Sequence, residues 1–161
     1  MINRRLETER NRAEAAYQYA DKGVNKYRKK TSGQQADGGE GGDENYKSIV
    51  AKLPSRILNN GLGVTVAFHF SKSKDKQGQE TVYGYVCEQL RKWLAEQGYV
   101  ESQDIATFAR EVVALPVADL RAVTNEALAF LTWLRRFTDG LSGLKQEEND
   151  NNRFNESTGE S

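Results

Sequence analysis

Cysteine is nearly absent from this 161-residue chain: Cys87 stands alone, so no disulfide can form within it. Histidine is equally scarce, and one Cys with one His cannot make a zinc site of the usual Cys/His kind. There is no long apolar run. The longest mostly apolar stretch, residues 127–134, falls far short of the roughly 20 residues needed to span a bilayer. The start, Met1-Ile2-Asn3-Arg4-Arg5, lacks the apolar stretch of a secretory signal. These absences predict a cytoplasmic protein with no membrane partner. A phosphate-cradling loop is missing too, because Gly61-Leu62-Gly63 is not followed by the lysine and hydroxyl residue that such a loop requires. Apolar residues make up 37 % of the chain and mean hydropathy is −0.76, which suits a modest core accompanied by disordered sequence.

The zero net charge conceals a segregation of signs. Residues 1–30 carry a net +5 and residues 46–100 a net +4, while residues 31–45 and 146–161 each carry −4. The first acidic segment, running from Thr31 through Gly38-Gly39-Glu40-Gly41-Gly42, has no large apolar side chain and reads as a flexible linker. The second has only Phe154 to bury and reads as a disordered tail. The expected organisation is a single helical domain over residues 1–145, interrupted by the linker at 31–45, and a disordered acidic tail over 146–161. The body that remains is basic. That points either to a polyanionic partner or simply to solvated helix surfaces.

Apolar spacing predicts helices throughout. In residues 3–30, Leu6, Ala13, Tyr17, Ala20, Val24 and Tyr27 recur at intervals of three, four and seven, with Asn3 able to cap. A second helix starts near Asp43 or Asn45 and carries Tyr46, Ile49, Val50, Leu53, Ile57 and Leu58; Pro54 should kink or split it, and Gly61 should end it. Residues 62–70 could be strand or buried helix by composition, and the lack of any partner strand favours helix. Residues 80–97 place Val82, Tyr83, Val86, Cys87, Leu90, Trp93 and Leu94 on one face, and Gly98 ends that helix. A short helix over 102–113 has Ser102 as its cap and Asp104 in its first turn. A last helix over 116–139 carries Leu120, Val123, Ala127, Phe130, Leu131, Leu134 and Phe137, with Gly140 as its stop. Short connections then imply an all-α, compact antiparallel bundle of about five to seven helices, its core centred on the two tryptophan-bearing helices.

No catalytic set emerges. His69, inside Val66-Ala67-Phe68-His69-Phe70, could act as a general base, but a structural histidine among aromatics is the better expectation, because a nuclease site needs convergent partners. Cys87 lies on an apolar helix face and reads as core. No cofactor is called for. What the chain does offer is basic side chains: Lys47, Lys52 and Arg56 on the second helix, Lys72, Lys74 and Lys76 in the loop after Phe70, and Arg135-Arg136 beside Trp133. Such groups can neutralise phosphates without reading sequence, and an arginine next to an aromatic could stack on a splayed base. Trp133 itself reads as core.

Two blocks carry a family resemblance. Leu53-Pro54-Ser55-Arg56-Ile57-Leu58-Asn59-Asn60-Gly61-Leu62-Gly63-Val64-Thr65-Val66-Ala67-Phe68, followed by Ser71-Lys72, resembles a block of the small subunit of type III-B CRISPR effectors, the fifth subunit of the Cmr complex. Residues Thr124-Asn125-Glu126-Ala127-Leu128-Ala129-Phe130-Leu131-Thr132-Trp133-Leu134-Arg135-Arg136-Phe137 resemble a second block of the same family. Tyr19-Ala20 and the tract Tyr85…Leu90…Trp93-Leu94 also fit. The resemblance implies a helical subunit without nuclease activity, stacked in copies along the groove that holds guide RNA and target RNA, with the other Cmr subunits as partners. It carries over Lys52, Arg56, Lys72, Arg135 and Arg136 as phosphate contacts; Lys47 and Lys74 join them from charge and position. A helical adaptor that binds protein alone is the alternative, and a ribonuclease using His69 is a third reading.

Overall fold

In the computed structural model, which describes residues 3–28 and 45–157, every regular element is a helix. They are α1 (Arg4–Lys26), α2 (Tyr46–Asn60), α3 (Leu62–Ser71), α4 (Val82–Glu96), α5 (Ile105–Ala114) and α6 (Val117–Ser157). The only extended pairing among these residues is an isolated bridge, Lys74 to Glu80. The acidic linker expected at residues 31–45 lies outside the described residues except for Asn45.

Helix starts follow capping chemistry. Asn3, Asn45, Thr81 and Asp104 each accept a backbone N–H of the first turn through a side-chain oxygen. Asp104, not Ser102, caps α5: its carboxylate takes the Thr107 N–H at 2.8 Å, while the backbone of Ser102 is held instead by Glu111 and Arg91. Gly61 separates α2 from α3 at φ 84°, ψ 159°, an extended mirror-image conformation that essentially only glycine adopts. Pro54 does not split α2, because its flanking turns are fixed by the buried Val50, Leu53 and Ile57.

The core draws on all six helices and contains Ala16, Tyr46, Ile49, Leu53, Leu90, Trp93, Phe108, Phe130, Leu131 and Leu134. The most extensive pairing is α1 against α6. Here the sequence-based face needs correction. Leu6 and Tyr17 are exposed; the buried face of α1 is Arg12, Ala16, Ala20, Gly23 and Val24, so of the expected stripe Ala20 and Val24 are buried while its two largest early members face solvent. Small side chains let α1 lie close to its neighbours: the Tyr46 ring sits where a Cβ on Gly23 would be, 2.0 Å from Tyr46 Cζ. Leu58, expected in the core, is exposed as well.

Contacts between α1 and α6 advance together along both helices, from Arg12–Glu126 to Tyr17–Phe137 to Arg28–Asn149. The pair therefore runs parallel, unlike the antiparallel arrangement expected of short connections; no short connection joins these two helices. Nor does Gly140 stop α6. It lacks a positive φ, and beyond it Leu141 is buried and Lys145 pairs with Asp21 at 3.2 Å, which extends the α1 contact. Of the acidic stretch expected as a disordered tail over residues 146–161, residues 146–157 continue α6 with side chains mostly in solvent, and residues 158–161 lie outside the described residues.

A buried charge network ties the two ends of the fold together. Arg12 donates to both carboxylate oxygens of Glu126, at 2.9 and 2.8 Å, and both residues are 7 % exposed. Trp93 gives its indole N–H to the same carboxylate at 2.9 Å. Arg12 also reaches Glu9, which accepts the indole N–H of the half-buried Trp133 at 3.2 Å. Both tryptophans are thus anchored to one ionic cluster. The arginine's proton is held more tightly than usual, chiefly by the hydrogen bonds to Glu126.

Candidate nucleic-acid interface

Of the basic residues singled out from sequence, Arg56 and Lys72 are brought together. Arg56 lies on α2, one turn after Lys52, and is half-buried. Its guanidinium carbon stands 4.7 Å from the centre of the Phe68 ring and 6.0 Å from that of Tyr83. Lys72 follows α3, and its ammonium lies 5.5 and 5.9 Å from the same two rings. Phe68 and Tyr83 meet edge to face at 5.7 Å. Two cations from separate elements therefore share one pair of aromatic faces, a favourable placement because ring quadrupoles attract cations.

This arrangement is locked from beneath. The ring of His69 packs edge-on to both aromatics, and its Nδ1 lies 3.2 Å from the Tyr83 carbonyl oxygen. Thr81 donates its hydroxyl to the Lys72 carbonyl and its N–H to the Ser73 carbonyl, the latter at 3.0 Å. Ser73 is pressed against the start of α4 so closely that a Cβ on Gly84 would meet its carbonyl oxygen at 2.8 Å. Further out, the Asp75 carboxylate accepts the N–H groups of Gln77 and Gln79, and Gly78 turns at φ 76°. The loop that carries the lysines is built, not slack.

The remaining candidates are placed otherwise. Lys47 and Lys52 are exposed on α2, and Lys74 is exposed at the Glu80 bridge. Arg135 and Arg136 are exposed on α6, beside the α1 contact, away from the aromatic pair. Trp133 stacks on Phe137 at 5.7 Å and gives its N–H to Glu9, so it does not make the arginine-aromatic pair its sequence neighbours suggested.

Carboxylates partner several of the other cations. Arg12, Arg91, Lys26 and Lys145 all pair with an Asp or Glu. Among the described residues, Arg56 and Lys72 have no carboxylate partner and face rings instead. Phe68 and Tyr83 were not singled out from sequence. Phe68 stands four residues, about one helical turn, before Lys72, a signal spacing could have supplied; Tyr83 has no basic residue near it in sequence to mark it.

The chemistry of nucleophiles and metals is poorly served. His69 is 1 % exposed, in keeping with a structural histidine. Cys87 is buried, and burial pushes its thiol up to about 12. The void lined by Leu53, Thr65, Val66, His69, Cys87 and Leu90 has no room for a water molecule. Among the described residues no group of three His, Cys, Asp or Glu side chains could hold a metal ion, and no helix is long and apolar enough to cross a membrane.

Fold and surface together define a small all-helical domain presenting a cation-aromatic patch. Two comparisons say which such domain it is. The sequence profile of the family described as "CRISPR-associated protein (Cas_Cmr5)" matches residues 8–141. The chain belongs to the Cas_Cmr5 family, whose members are small subunits of the multi-subunit Cmr complex. Its fold is that of the X-ray crystal structure of a CRISPR-associated Cmr5 family protein from Thermus thermophilus, with a TM-score of 0.55 and 23 % identity over 81 % of this chain and 96 % of that one.

Proposed function

We propose that this chain is the non-catalytic small subunit of a type III-B CRISPR ribonucleoprotein, stacking in copies along the groove that holds guide and target RNA and stabilising target binding. The observation that carries this reading is the pair Arg56 and Lys72, two cations without a carboxylate partner among the described residues, held at one surface. Lys47, Lys52 and Lys74 extend the charge along α2 and the adjacent loop, while Arg135 and Arg136 offer a second basic site on α6. Such groups attract a polyanion and release its counterions. The burial of His69 and Cys87 supports a role without chemistry of its own. In this reading the base pairing of guide and target supplies sequence specificity, and the small subunit holds backbone.

A complex reconstituted with a Lys52→Glu, Arg56→Glu chain should retain target RNA more weakly and with a flatter salt dependence. Unchanged retention across a salt series would remove these residues from the interface.

A second reading is a helical adaptor that contacts protein alone. Leu58, Val113 and Val117, each roughly 70 % exposed, are the side chains that such a protein contact would cover. That reading predicts a complex that survives complete RNase treatment with no RNA footprint lost when the basic residues are changed.

A further inference from the structure

We infer that Phe68 and Tyr83 are positioning residues for RNA binding: they fix Arg56 and Lys72 as one preset pair that grips the phosphodiester backbone and leaves bases unread. The inference rests on the RNA-contacting reading above and adds to it two uncharged residues and a mode of contact.

Three observations converge. First, both cations lie within about 6 Å of both ring centres, although they come from different elements. Long basic side chains on a surface ordinarily sample many rotamers, and holding one still for a ligand costs conformational entropy. Rings that already hold the charged heads reduce that cost. Second, the rings themselves are braced: His69 packs against both, and the Thr81 bonds with the close Gly84–Ser73 approach set Lys72 relative to Tyr83. Third, Phe68 is already engaged by two cations and by edge contacts with His69 and Tyr83. A nucleobase could stack there only by displacing a cation. The outer side of each cation stays available, and an anionic oxygen is what it would take. A guanidinium and an ammonium held against the same two rings suit phosphate oxygens, whatever bases the strand carries.

The test uses the reconstituted complex, loaded in turn with two guide and target pairs of unrelated sequence, and reads retention of labelled target RNA across a salt series. Phe68→Leu removes one of the two shared rings and keeps every charge. Retention should fall about 3- to 10-fold for both targets, the range expected for losing a partly desolvated cation–π contact, with the salt slope unchanged. Tyr83→Leu should do the same more weakly, and Phe68→Tyr should restore binding. Arg56→Gln with Lys72→Gln should lower retention and also flatten the slope by about 0.7 per lost contact. A normal thermal midpoint for each variant chain excludes misfolding, and Phe68→Tyr against Tyr83→Leu decides the matter if Phe68→Leu fails to fold. Wild-type retention in Phe68→Leu, while the double Gln variant loses RNA, would overturn the bracing role and leave the RNA reading standing. Wild-type retention in the double Gln variant would overturn both. A loss in Phe68→Leu confined to one of the two targets would overturn the backbone-only contact.

Discussion

Replacing Glu126 with alanine tests the ionic cluster that joins α1, α4 and α6. Arg12 would keep its charge at a site where it is 7 % exposed, with its two-pronged partner gone and only the half-exposed Glu9 nearby. Trp93 would lose the acceptor of its buried indole N–H. Removing one member of a buried ion pair costs about 3–5 kcal/mol, because the surviving charge is left desolvated. The orphaned indole adds about 1–3 kcal/mol when counted alone. The two penalties share one carboxylate and do not add fully, so a loss of about 4 kcal/mol is expected. For a domain of this size, that corresponds to a fall of about 8–16 °C in melting temperature. Urea denaturation followed by far-ultraviolet circular dichroism and tryptophan fluorescence gives the value directly. Arg12→Met with Glu126→Leu supplies the control: with both charges removed and volume kept, much of the loss should return. A Glu126→Ala protein within about 1 kcal/mol of wild type, or a double variant no more stable than the single one, would refute the idea that a desolvated charge dominates this site.

Three further outcomes follow from packing and protonation. Gly23→Ala should destabilise the protein by about 2 kcal/mol despite alanine's better helix propensity, since its Cβ would fall on the Tyr46 ring; thermal melts check this, and Gly140→Ala, where nothing lies near, should be neutral or stabilising. Cys87, its thiol pushed up to about 12, should resist alkylation by iodoacetamide in the native state and react once the chain unfolds in urea. Glu9, held below its ordinary 4.5 by the Trp133 and Arg12 hydrogen bonds, contributes stability that is present above that value and lost as pH falls through the lower folded one. Denaturant midpoints should therefore decline below about pH 4.5, and Glu9→Gln should make that decline shallower.

Periodicity made the helices legible because apolar residues at intervals of three and four can meet only on a helix face. The faces were less legible where small residues did the packing. Arg12, Ala16 and Gly23 carry little hydrophobic signal and were missed, while Leu6 and Tyr17 were read into a stripe of which Ala20 and Val24 are buried. The Arg12–Glu126 pair escaped notice for a different reason: its members are 114 positions apart, and charged residues read as surface. A clue was present, since Arg12 stands four residues before Ala16 and eight before Ala20, while Glu126 adjoins Ala127 on the inward stripe of α6. The basic patch was half legible. Lys52 and Arg56 share a helix face by spacing alone, and the loop lysines are plain in sequence. That Arg56 and Lys72 meet over Phe68 and Tyr83 depends on the turn at Gly61 and the return of α4, which tertiary packing sets. Gly140 shows the converse error, where a residue that often ends helices is carried through one because Leu141 and Lys145 keep α6 in contact with α1.

In the proposed role, this family member holds RNA through its α2–α3 surface inside a larger assembly. The most direct test is affinity purification of the tagged chain from its native host, wild type beside Arg56→Glu with Lys72→Glu, with mass analysis of bound proteins and sequencing of bound RNA after ultraviolet crosslinking. Both chains should recover the Cmr subunits, while RNA crosslinked to the chain itself drops sharply in the variant. Equal crosslinking in the two, or a wild-type chain that recovers its protein partners with no RNA at all, would contradict that role.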